Sequence, residues 1–163
     1  MEIRNATAED LPSIVEIYNA AIPSRMVTAD TEPVTVASRR AWFAQHSPER
    51  RPLWMALEKG QATGWLSYSS FYGRPAYQHT CEVSLYLAPE HQRRGLGTEL
   101  LRRAVEHAPA IGVTALLGFI FSHNEPSLRL VAKLGFTRWG LLPRVAVLDG
   151  VERDVAILGR RLD

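Results

Sequence analysis

The stretch "HQRRGLGTELLRRAV", residues 91–105, puts two arginines and two glycines at the mouth of what reads as an amphipathic helix. A helix start leaves backbone N–H groups without partners and carries a partial positive charge, which suits an anion. Gly95 and Gly97 remove side chains that would keep a ligand off that backbone, and Arg93 and Arg94 add charge beside it. A pyrophosphate fits this arrangement, although a bare Gly-x-Gly pair more often serves a turn. Two other phosphate loops are excluded, because the three-glycine dinucleotide fingerprint is incomplete and no Gly-Lys-Ser/Thr occurs. Just upstream, "TCEVSLYL" alternates as a strand does, turning Glu82, Ser84 and Tyr86 to one face and Cys81 to the other. A carboxylate there can serve as a general base, the plain alternative being a solvent-facing strand residue. In "SFYGRPAYQHT", Phe71, Tyr72 and Tyr77 surround Arg74 shortly before Glu82. They offer aromatic walls and a guanidinium for a carboxylated amine, or else simply core aromatics.

These residues need elements to position them. "MEIRNAT" reads as a short strand, and Thr7 with Asp10 approximates a capping box before the helical spacing of "LPSIVEIYNAAI". A Pro-punctuated loop follows, then a second helix in "VASRRAWFAQH" that ends near Pro48. "PLWMALEKGQATGWLSYSSFYG" predicts a hairpin broken at Lys59 and Gly60, and the next strand runs from about Thr80 to Leu87. The helix after it begins near Gly95 and carries Leu96, Leu100, Leu101, Ala104, Val105 and Ala108 on one face. "VTALLGFIF" predicts a central strand, "EPSLRLVAKLG" a short helix with Gly135 as its left-handed cap, and the rest two strands around "LDGVE". The order predicts a single α/β or α+β domain over 1–163 with a mixed sheet.

Composition bounds the function. The chain of 163 residues is 46% hydrophobic and 22% charged, as an ordinary globule is, and a net charge of +2 argues against a dedicated nucleic-acid binder. One cysteine, Cys81, allows no internal disulfide, no signal peptide is recognised, and the longest apolar run, Val113–Phe121, is too short to span a membrane, so a cytoplasmic protein is expected.

With these elements in place, "HQRRGLGTELL" resembles the acyl-CoA pyrophosphate loop of the GCN5-related N-acetyltransferases (GNAT). "SHNEPSLRLVAKLGF" resembles the second motif of that superfamily, an Asn opening a helix that ends in Gly-Phe. "DTEPVT", "RRAWF" and "RPAYQHTCEVSLYLAPEHQRRGLG" are similar to its phosphinothricin acetyltransferase branch, which acetylates amino-acid-like amines. The resemblance implies an α+β, α/β/α-layered GNAT fold. Its mixed, mostly antiparallel sheet would have a splayed parallel strand pair that binds acyl-CoA. It implies acetyl-CoA as co-substrate, no metal, a small amine as acceptor, and, since dimers are common in the branch, a homodimer. By the same resemblance Glu82 is the general base. Leu85, Tyr86 and Leu87 pair with the pantetheine arm. The amides from Arg93 through Arg94, Gly95, Leu96 and Gly97 to Thr98 hold the pyrophosphate, and Asn124 meets the arm near its amide, unless it only caps a helix.

The sequence also departs from the branch. Val131 stands where the superfamily often has Tyr and the branch often His, so the general acid is unassigned, with His123 and Tyr86 as spare candidates. In the tail, Leu148 and Glu152 stand near a usual Lys and Trp, and only Asp154 fits. Rival readings are another acceptor (a protein N-terminus, a polyamine or an aminoglycoside), a non-catalytic acyl-CoA sensor, and an RNA binder using Arg50, Arg51, Arg93, Arg94, Arg102 and Arg103.

Overall fold

The computed structural model describes residues 1–163. Strand β1 (Glu2–Asn5) leads through a short 3-10 turn into helix α1 (Leu11–Ala21), and helix α2 (Val36–Ala44) follows a long loop. Then come β2 (Leu53–Glu58), β3 (Gln61–Ser70), β4 (Thr80–Leu87), α3 (Leu96–His107), β5 (Ala115–Phe121), α4 (Glu125–Lys133), β6 (Thr137–Leu148) and β7 (Val151–Arg161). Both tight hairpins turn on a residue and a following glycine at positive φ, Lys59–Gly60 and Asp149–Gly150, as two-residue turns that match strand twist require.

The strands form one sheet of seven in the order β1-β2-β3-β4-β5-β7-β6, antiparallel except for the β4–β5 pair. The middle strand is therefore β4. The apolar run expected to be central forms β5, one place from the middle, and begins its strand only at Ala115, where Thr114 and Ala115 both donate to the His79 carbonyl at the crossover.

Strand alternation divides the core into two layers. On one face α3 and α4 bury Leu100, Leu101, Ala104 and Val131 against Leu66, Tyr68, Cys81 and Leu116. On the other, α1 packs Ile14 and Ile17 on Leu53, Met55 and Trp65, with Trp42 and Phe43 of α2 beside them. The result is the expected α/β/α layering, with Cys81 facing α3 and Glu82 facing α1 and α2. No helix is long and apolar enough to cross a membrane.

Candidate active site

Strands β4 and β5 pair only at Thr80–Ala115, Cys81–Leu116 and Glu82–Leu117. Beyond that rung β4 stays on β3 as far as Leu87, and β5 stays on β7 as far as Phe121. Each is held by its outer neighbour, so the inner edges part and a wedge opens in the sheet. In an antiparallel ladder, alternate residues turn both backbone groups to the same neighbour. Because Ala88 N–H bonds the Thr63 carbonyl and the Thr80 carbonyl accepts from Phe71, the even-numbered residues of β4 face β3. Leu85 and Leu87 therefore aim N–H and C=O into the wedge. Tyr86, expected to pair with the arm through its backbone, is instead bonded to β3 opposite Trp65, and it is its side chain that lines the site.

The wedge contains a cavity of about 330 Å³ bounded by Leu85, Phe119, Asn124, Leu130 and Val131. Next to it, where Gly97 packs against the cavity residues Leu85 and Leu130, the backbone N–H groups of residues 93–98 make no hydrogen bond within the protein. Gly95 is the α3 N-cap at φ 79, and Arg93 also takes positive φ at 60, so two left-handed residues shape the loop that carries these donors. This row would hold a diphosphate and the wedge a thioester arm.

The two glycines do different work from the pairing expected. Gly95 has nothing within 4 Å of a notional Cβ and supplies the left-handed turn. Gly97 is buried, and a Cβ there would meet Leu130 Cδ1 at 3.1 Å, so it sets the close packing of α3 on α4 and β4. The Arg94 side chain also departs from expectation. Its guanidinium takes both Glu58 carboxylate oxygens at 3.1 Å and touches His91 Nδ1 at 2.9 Å, which fixes the loop to β2 rather than adding free charge. Asn124 caps α4 by accepting from Ser127 N–H at 3.2 Å. Its two amide hydrogens go to Met26 O and Ser127 Oγ, both at 2.9 Å, while it also lines the wedge.

Glu82 sits at the apex. It lines the wedge cavity and also a second one, about 250 Å³, between the sheet and α1/α2. Burial alone raises its carboxyl above the ordinary value, for no cation lies against it, and that is the direction a general base needs. Ser84 and Tyr86 line both cavities as well. Burial likewise raises the Tyr86 phenol, which donates to Val27 O at 3.2 Å. Cys81 lies on the opposite face, wholly buried, with its thiol pushed up by desolvation. Val131 presents an aliphatic wall to the wedge and can donate no proton.

The expected acceptor residues lie apart. Phe71, Tyr72 and Tyr77 cluster with ring centroids 4.4 to 6.4 Å apart on the β3–β4 loop, Tyr72 77% exposed, and neither they nor Arg74 line either cavity. Buried Arg51 anchors the loop through Ser70 Oγ at 2.9 Å and Gln78 O at 2.8 Å. Sequence reading missed the second cavity's wall: Tyr18, Arg39, Trp42 and Trp65. Arg39 and Trp42, three apart on a helix, were readable as one face, but their proximity to Glu82 depends on how α2 lies across the sheet. His123 bonds Arg25 O at 2.9 Å and lines neither cavity, and Asp154 accepts from Arg144 N–H at 2.8 Å to hold the β6 bulge. The cationic surface considered for RNA is dispersed, with Arg51 buried and Arg94, Arg102 and Arg103 paired to Glu58, Glu99 and Glu106.

Comparison with known proteins agrees with this geometry. The chain is 50% identical to YwnH of Bacillus subtilis (strain 168), covering 99% of both chains. It is 32% identical to the L-amino acid N-acyltransferase MnaT of Escherichia coli (strain K12), covering 100% of this chain and 95% of the other. The crystal structure of a GNAT superfamily phosphinothricin acetyltransferase (Pat) from Sinorhizobium meliloti in complex with AcCoA superposes with a TM-score of 0.93 at 31% identity, covering 99% of this chain and 88% of that one. The acetyltransferase (GNAT) family model matches residues 12–136. The wedge, the row of free amides and this match agree: the chain belongs to the GNAT family and is an N-acetyltransferase that uses acetyl-CoA.

Proposed function

We propose that this enzyme acetylates the primary amine of a small amino acid or amino-acid analogue by direct attack, with donor and acceptor bound together. The observation that carries the proposal is Glu82 in the wall of both cavities, of which we assign the wedge to the donor and the other to the acceptor. The names of MnaT and the Sinorhizobium meliloti enzyme point to the same acceptor class.

An α-amine is largely protonated near neutral pH and cannot attack until it loses that proton. Glu82, its carboxyl raised by burial, takes the proton directly or through an ordered water. Leu85 N–H, facing the wedge, stabilises the oxyanion that forms when the amine nitrogen bonds the thioester carbon; collapse of that intermediate breaks the carbon–sulfur bond and expels CoA as the thiolate, which takes up the proton the nitrogen sheds. The amides of residues 93–98 hold the diphosphate, so the donor is fixed at both ends of the wedge. Cys81, on the far face, has no part in the transfer.

The test is thiol release from acetyl-CoA across a panel of amino acids, amino-acid analogues, polyamines and aminoglycosides. Turnover with amino acids is expected; turnover confined to the cationic amines overturns the acceptor class. We also propose a homodimer, supported by the exposed Trp139, Leu142, Val145 and Val147 on edge strand β6. A monomeric mass by sedimentation at micromolar concentration overturns it.

A further inference from the structure

If the amine lies beside Glu82, the rest of the acceptor must occupy the cavity between the sheet and α1/α2. That cavity has one cation and one carboxylate in its wall, Arg39 and Glu82. The remaining surface is aliphatic or aromatic, with Trp42 and Trp65 prominent, apart from the hydroxyls of Ser67, Ser69 and Ser84. Its volume, about 250 Å³, lies below the roughly 300–1,000 Å³ of drug-sized sites, so the occupant is small.

Arg39 is held as a clamp would be. Its guanidinium carbon sits 4.8 Å from the centroid of the Tyr18 ring and 5.9 Å from that of Trp42, and Nη2 donates to Asp30 at 3.1 Å. Asp30, which is outside the cavity wall, is itself bonded by the Tyr18 hydroxyl. Two aromatic faces and one carboxylate fix the guanidinium plane, yet only Nη2 is engaged, and the other N–H donors are left for a ligand. A planar fork with spare parallel donors matches a carboxylate.

We propose that Arg39 binds the α-carboxylate of the acceptor, and that the pocket selects amino acids with uncharged, largely apolar side chains packed against Trp42 and Trp65. This rests on the acceptor class proposed above and names its recognition element. It shifts the clamp from Arg74, which is exposed on the β3–β4 loop and lines neither cavity. Glu82 and Arg39 then take opposite ends of a zwitterion. A diamine has no group for Arg39 and would set a second cation beside it.

The experiment compares L-leucine and L-methionine with their carboxamides as acceptors, measuring kcat and KM for wild type, Arg39→Gln, Arg39→Lys, Asp30→Asn and Arg74→Ala. Wild type should favour the acids. Arg39→Gln should raise KM for the acids on the order of ten- to a hundredfold, the loss of a charged hydrogen-bond partner, and leave the amides and the KM for acetyl-CoA unchanged. Arg39→Lys should lie between. Arg74→Ala should keep the preference, and Asp30→Asn, which loosens the guanidinium but leaves its charge, should weaken the preference less than Arg39→Gln does. Should Arg39→Gln lose its acetyl-CoA melting shift through misfolding, Arg39→Lys decides, and an undiminished preference in it overturns the clamp. Acid preference retained in a folded Arg39→Gln, or abolished in Arg74→Ala, also overturns it. A wild type that acetylates other amines and no amino acid overturns the acceptor class, and the clamp with it.

Discussion

Glu82 faces Leu117 across the last rung of the parallel β4–β5 ladder, and one residue further on the two strands part. The carboxylate thus stands where the sheet changes from closed to open, on the α1/α2 face, with the donor wedge running away from it. Closure behind Glu82 keeps water from most of the side chain, and burial is what raises its pKa.

Glu82→Gln should lower kcat by roughly 10²- to 10⁴-fold, the usual share of a general base, and leave the KM for acetyl-CoA near wild type. A base must be ionised, so wild-type activity should fall as pH drops through a pKa above the ordinary 4.5 of a glutamate. That acidic limb should vanish in the residual activity of the variant. A pH–rate profile in which both proteins share one acidic limb removes Glu82 from the role.

The same burial predicts an effect on stability. The folded protein holds the Glu82 proton to higher pH than the unfolded chain does, whose carboxyl titrates near 4.5. Below that value both states are protonated and the group is neutral to stability. As pH rises through the raised pKa, the folded state must ionise a half-buried, desolvated carboxyl, and stability is lost. Glu82→Gln escapes this, so it should melt higher than wild type near pH 8, the gap closing by about pH 4. Melting curves that coincide at both pH values mean the carboxyl is not desolvated.

Local chemistry made much of the molecule legible in advance. The span of β4, the Gly95 start of α3, the Gly135 stop of α4 and the Asp149–Gly150 turn each depend on a few adjacent residues with strong backbone preferences. The second cavity was not legible, because Arg39, Trp65 and Glu82 come from three elements distant in sequence that meet only when α2 lies across the sheet. Side-chain direction was lost for the same reason. Nothing near Arg94 announces that Glu58, on the far side of a hairpin, will take its guanidinium. The dual use of β4 did follow from alternation, but which edge its backbone groups serve required the register against β3.

Gly95→Ala tests the donor loop. The position has φ 79 and open space around a Cβ, so the substitution adds backbone strain and no clash. Left-handed backbone costs a residue with a Cβ about 1–2 kcal/mol, and relaxing it would rotate the free amides of residues 93–98. The KM for acetyl-CoA should rise about tenfold, with kcat and the acceptor KM within about twofold. An unchanged donor KM means these amides do not hold the diphosphate.

Gly64→Ala tests whether the wedge depends on how β3 holds β4. Gly64 lies opposite Leu87, and a Cβ there would come within 2.6 Å of Leu87 Cδ2 and 2.8 Å of the Tyr86 carbonyl oxygen. The leucine methyl can rotate away, but the carbonyl is part of the ladder and can move only if β4 shifts. Overpacking of this kind costs about 1–3 kcal/mol, and in a chain this size each kcal/mol lowers Tm by about 2–4 °C. The displaced segment also carries Leu85 and Leu87, whose backbone groups face the wedge, so the KM for acetyl-CoA should rise together with the fall in Tm. Gly60→Ala, also on this hairpin but at its turn, has φ 78 and nothing within 4 Å of a Cβ, and it should lower Tm by strain alone and leave the donor KM where it was. If Gly64→Ala loses stability yet binds acetyl-CoA as wild type does, the edge of β4 beyond Glu82 is not what receives the arm.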